Sequence, residues 1–143
     1  MASKKQTISR PSLNIPVVTA QQIATFDRLK HQLSQLYDEI SVLSKKLPDG
    51  TVNKFKLGFI NEKLAEANEL LGDDSKPSKQ FTVFDQDALP TNSDVVIMLA
   101  QYRDAIEAWR SGHIHKDGYD WCWHTADGSS IDAGSSPSRY ISH

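Results

Sequence analysis

Four side chains near the C-terminus have the chemistry to hold a metal: His113, His115, Cys122 and His124. The steps His113-x-His115 and Cys122-x-His124 would bring imidazole and thiolate together if a hairpin joined them. A metal-dependent hydrolase built on His113, His115 and His124 is the reaction class that follows. Neither step has the spacing of a standard zinc site, and a lone cysteine is more often a small buried apolar side chain. The expectation is therefore no metal and no cofactor. A Cys–His nucleophile would need a positioned base and an oxyanion donor, and nothing in the chain argues for either.

Glu62, Glu66, Glu69 and Asp73 step 4, 3, 4 along a helical stretch, a spacing that serves di-metal sites when the carboxylates point inward. Here they lie opposite the apolar stripe of their own helix, so they belong to a solvated face. The chain has no phosphate-cradling loop, dinucleotide glycine fingerprint, Gly-x-Ser-x-Gly elbow or His-Glu-x-x-His pair. No catalytic residue is expected.

Aromatic and guanidinium groups carry the binding expectation. Tyr119, Trp121 and Trp123 alternate with Asp120, Cys122 and His124, the period of a strand. Three large aromatics on one face favour an interface, can stack on a planar ligand, or can close a helical core over Val96 and Met98. Arg103 and Arg110 share one flank of a helix beside Trp109, where two guanidiniums could grip an anion or an acidic partner. A solvated edge with ordinary ion pairs is the plainer reading of that flank. Tyr119, Trp121, Trp123, Trp109, Arg103 and Arg110 form the candidate binding set.

Helices must position these groups. Phe26, Leu29, Leu33, Leu36, Ile40, Leu43 and Leu47 repeat at 3, 4, 3, 4, 3, 4, a coiled-coil-like seam. Thr19-Ala20-Gln21-Gln22 fits a capping box, Val18 and Ile23 occupy the staple positions, and Leu47-Pro48-Asp49-Gly50 stops the helix. A second helix over 52–71 repeats the pattern through Leu57, Ile60, Leu64, Ala67 and Leu71, and the short turn folds it back antiparallel. Gly58 inside it suggests a close packing approach, and Gly72 a left-handed cap. A long linker over 73–91 should be anchored by Phe81, Val83, Phe84 and Leu89. A third helix over 92–111 opens with Thr91-Asn92-Ser93-Asp94, and its apolar run Val95–Ala100 implies burial on more than one side. Ala126-Asp127-Gly128 then turns the aromatic strand back into a weak partner at 129–132.

The expected fold class is mainly α: a three-helix bundle, made of a long antiparallel hairpin and a third helix after a long loop, with a small β-like C-terminal appendage. The organisation is a flexible arm over 1–18, a helical domain over 19–112, an aromatic hairpin over 113–133 and a disordered tail over 134–143. The 143 residues carry 38% hydrophobic side chains and a formal charge of −2, which suits one globular domain and argues against nucleic acid or an anionic membrane as partner. No apolar run reaches a membrane span, no secretory leader is visible, and the single cysteine fits a cytoplasmic setting.

A non-enzymatic interaction protein is the functional expectation: an adaptor, inhibitor or assembly factor that binds another protein through the third helix and the aromatic strand. The excess length of the first helix adds a homo-oligomer, most simply a dimer. The alternative is an oligomer that captures a nucleotide-like or other small anionic ligand at a subunit interface, with Arg103, Arg110 and the tail aromatics as its site.

Overall fold

The computed structural model describes residues 14–138, and three helices and a C-terminal antiparallel sheet make up its regular structure. Helix α1 runs Ala20–Lys46 and starts where local chemistry dictates. The Thr19 hydroxyl accepts from the Gln22 amide at 3.0 Å, and Gln22 Oε1 accepts from the Thr19 amide at 3.0 Å. Helix α2 runs Lys54–Ser75, two residues later than the periodicity suggests, because Asn53 rather than an earlier residue caps it. Val52 stays outside the helix, buried, its amide donating to the Pro90 carbonyl. Helix α3 runs Asn92–Ser111 behind a Thr91/Asp94 capping box.

Side-chain pairs fix how the helices run. Arg28 meets Glu66 and Lys56 meets Glu39, so α1 and α2 run in opposite directions. Phe26 meets Trp109 and Arg103 covers Tyr37, so α3 opposes α1 as well. The α1–α2 turn is stitched to the head of α3 through Asn92, whose amide donates to the Gly50 carbonyl and whose side chain donates to the Leu47 carbonyl. The seam of α1 is buried at Phe26, Leu29, Leu33 and Ile40, and it packs on Leu57, Ile60, Leu64, Val95, Leu99, Tyr102 and Ile106 in one apolar core.

Several local expectations need correction. Gly72 breaks the regular turns of α2 with the positive φ expected of it, 73°, but its ψ of 175° is not that of a left-handed cap, and a further short turn runs on to Ser75. Gly58 has no close packing role, since an added Cβ would meet only the Gln86 amide at an ordinary 3.6 Å. Ile97 is exposed, so the head of α3 is not buried all round; Val95 and Leu99 are buried, and Val96 and Met98 are partly buried against the core. Val83 and Leu89 are exposed too and anchor nothing in the linker. Amides hold it instead. Asn61 both donates to and accepts from the Phe84 backbone, and Asn68 donates to the Thr82 carbonyl while accepting from the Tyr102 hydroxyl. Phe81 then packs edge-on against both Phe84 and Tyr102.

The sheet has order β1-β2-β3, with β1 at Ile114–Asp117, β2 at Asp120–Trp123 and β3 at Ile131–Gly134. Strand β1 was not expected; Ile114-His115-Lys116-Asp117 has little strand character and is recruited by its turn. Gly118 takes the positive φ of 67° that a two-residue hairpin needs, which puts Tyr119 in the turn rather than in the strand. Val18 completes the sheet's link to the helices, its amide donating to the His124 carbonyl at 2.9 Å. Residues 134–138, expected in a disordered tail, close β3 and pack back on α3; 1–13 and 139–143, the rest of the arm and tail, lie outside the described residues.

Candidate functional site

The six candidate binding residues part company in three dimensions. Tyr119 stands at the hairpin tip, 99% exposed. Trp123 points into the core at 2% exposure, edge-on to Phe26 at 5.2 Å and beside Trp109 at 5.6 Å. Trp109 is buried in the same cluster, and Trp121 is half-buried against it. Cys122 and Trp123 are both buried although successive residues of β2 face opposite sides of the sheet; the β1–β2 pairing runs on without a break, and the bulge opposite Trp121/Cys122 lies in β3, where Ala133 is the extra residue. The aromatic row is thus divided between a turn tip and a core rather than presented as one platform.

Arg110 is buried at 3% exposure, and all five of its N–H donors are used. Two go to the Glu107 carboxylate in a fork, and three go to the carbonyls of Ala133, Ser135 and Ser136. It fastens the end of β3 to α3. Arg103 has a different surrounding: its guanidinium covers the Tyr37 ring at 4.5 Å, in a hollow of about 410 Å³ that Lys30, Asp104 and Glu107 also line. The Glu107 carboxylate there is already taken up by Arg110, so Lys30 and Arg103 face Asp104 across the hollow.

The four metal-type residues also separate. His113 Nδ1 donates to the Trp109 carbonyl at 2.6 Å, and its ring stacks on the Trp109 indole at 4.4 Å. Burial pulls the His113 pKa below its usual 6.5, partly offset by that carbonyl. The unfolded chain takes up a proton near that value and the folded chain resists it. Stability owed to neutral His113 is thus present above the unfolded value and drains away as pH falls through the folded one. Melting curves across roughly pH 5–8 should drop on the acid side, with a shallower drop in His113→Gln. Burial, and then Asp117, Asp120 and Asp132, push the Cys122 thiol up, the opposite of what a nucleophile needs. His115 and His124 do come together, with Nδ1 atoms 3.4 Å apart. Among the described residues no group of three or more such side chains is placed to hold a metal ion.

The carboxylate stripe of α2 is engaged at the surface, Glu66 with Arg28 at 2.6 Å and with Lys63 at 3.5 Å. Beside it lies the feature that the periodicity reading passed over. Phe55 and Phe59, one turn apart on α2, are 80% and 51% exposed and touch edge to face. They form the lip of a groove of about 560 Å³ between α1 and α2, floored by Leu36, Ile40 and Ile60. Gln32, Gln35, Glu39, Lys56 and Lys63 make up the rim. The Gln32 side-chain oxygen is buried there with no hydrogen-bond partner. A signal was available: Phe55 and Phe59 fall at i, i+4 but off the Leu57, Ile60, Leu64 stripe, so packing of that stripe leaves both rings outside.

The chain matches no family model, and no curated protein or solved structure was found to be similar to it. No described helix is long and apolar enough to cross a membrane.

Proposed function

We propose that this chain is a non-enzymatic interaction protein, a three-helix bundle that takes an amphipathic helix of another protein into the groove between α1 and α2. The observation that carries the reading is the pair of exposed phenylalanines over an apolar floor. Burying the 80% exposed Phe55 ring would gain about 1.5–3 kcal/mol and the half-exposed Phe59 ring about half of that, a gain the monomer forgoes. The groove's shape favours a helix as its occupant, because two opposed helices make a trough that i, i+3 and i+7 side chains fill. Its rim carries two amides, two ammonium groups and one carboxylate, which suits a partner with mixed polar flanks.

A displayed library of amphipathic helical peptides tests this. Enriched sequences should bind the wild type and lose at least tenfold in affinity to the Phe55→Ser/Phe59→Ser variant, while its melting temperature stays within a few degrees, as expected for exposed positions. Failure to enrich any sequence over the double variant would sink the proposal. So would a wild-type dimer that the double variant turns into a monomer, since the groove would then belong to a second copy. Capture of a small anion between subunits is the weaker proposal, because Arg110, the second guanidinium of the candidate pair, is wholly occupied by Glu107 and three carbonyls. A nucleotide that raised the melting temperature of the wild type but not of Arg103→Ala would revive it.

A further inference from the structure

We infer that His115 and His124 form a two-imidazole site for a divalent transition-metal ion on the outer face of the C-terminal sheet. The spacing is the first argument. Two nitrogens bound to one tetrahedral zinc at about 2.0–2.1 Å stand about 3.3–3.4 Å apart. The two Nδ1 atoms stand 3.4 Å apart, with the rings nearly perpendicular at 83°. Two neutral imidazoles that aim bare lone pairs at each other repel. They must share a proton or a cation, and the separation suits a cation as well as a proton.

The second argument is that the backbone holds both residues in place before any ion arrives. His115 pairs across the hairpin with Cys122, and Ile114 beside it pairs with Trp123 in the core, so His115 takes the outward alternate position. His124 is clamped from two sides: its amide donates to the His113 carbonyl at 2.8 Å, and its carbonyl accepts from the Val18 amide. Both rings are half-buried at the sheet surface, away from the Trp123 core and from the α1–α2 groove. An ion there is reachable by solvent, which fills the remaining positions.

Imidazole pairs select zinc, nickel or copper rather than magnesium or calcium, which prefer oxygen. Cys122 is assigned no part, because the spacing that suits one ion is that of the two imidazole nitrogens alone.

Calorimetric titration of the untagged full-length chain with Zn2+, then Cu2+, tests the site. One ion per chain is expected, with Cu2+ tighter than Zn2+. His115→Ala and His124→Ala should each weaken binding at least tenfold, whereas Cys122→Ala and the exposed control His31→Ala should bind like the wild type. Nitrogen NMR of the wild type guards against misfolded variants, because Zn2+ must move the Nδ1 signals of both His115 and His124. Unmoved imidazole signals, or equal affinity in both histidine variants, would show a pair that only shares a proton and would overturn the inference. Loss of binding in Cys122→Ala would overturn the two-imidazole assignment.

Discussion

Trp123→Ala is expected to lower stability by about 3–5 kcal/mol, the range for removing a fully buried large aromatic. For a chain of this size that corresponds to a melting temperature lower by roughly 10–20 °C. The indole is where sheet and helices meet: it contacts Phe26 of α1 and Trp109 of α3, which are themselves stacked at 6.1 Å. Alanine there empties the centre of the cluster, and relaxation is limited because the β1–β2 pairing holds the backbone. Trp121→Ala, at a half-buried position, should lose markedly less. Urea melts followed by circular dichroism check both, and a loss below about 1 kcal/mol in Trp123→Ala would mean that the ring is not a core element. A chain ending at Gly112 is expected to aggregate rather than remain a folded monomer, because it uncovers Phe26 and Trp109.

Arg110→Ala is the second large effect. It strands the Ala133, Ser135 and Ser136 carbonyls and leaves the Glu107 carboxylate with only the Ser111 hydroxyl. Breaking a fully buried pair costs about 3–5 kcal/mol; because Glu107 is about one-third exposed, about 2–4 kcal/mol is expected here. Arg110→Lys should recover less than half of the loss, since an ammonium cannot reach a carboxylate and three carbonyls in five directions. The damage should be local first. Hydrogen exchange at the β3 amides should speed up by more than exchange in α1, and uniform acceleration across both would contradict a fastening role.

The helix starts and most of the apolar seams were legible because they rest on neighbours three or four residues apart. The Thr19/Gln22 and Thr91/Asp94 boxes are closed within one turn, and Leu29, Leu33 and Ile40 are buried where their spacing placed them. What lay further along the chain was not legible. Asn61 and Asn68 hold a linker whose bonded residues are 23 and 14 positions away, and no periodicity reports such partners.

The sequence by itself determined three amphipathic helices and an aromatic strand after them, since local hydrogen bonding and side-chain period decide those. Tertiary structure alone decided which way each large side chain faces. The Gly118 turn sets a β1–β2 register that sends Trp123 into the core, leaves Tyr119 in water and lets His115 meet His124. A slip of one residue would invert all of these, because successive strand side chains alternate faces. Arg110 looked like a free cation until residues 133–136 folded back to occupy it. Phe55 and Phe59 are left largely in water because α1 packs against the stripe beside them.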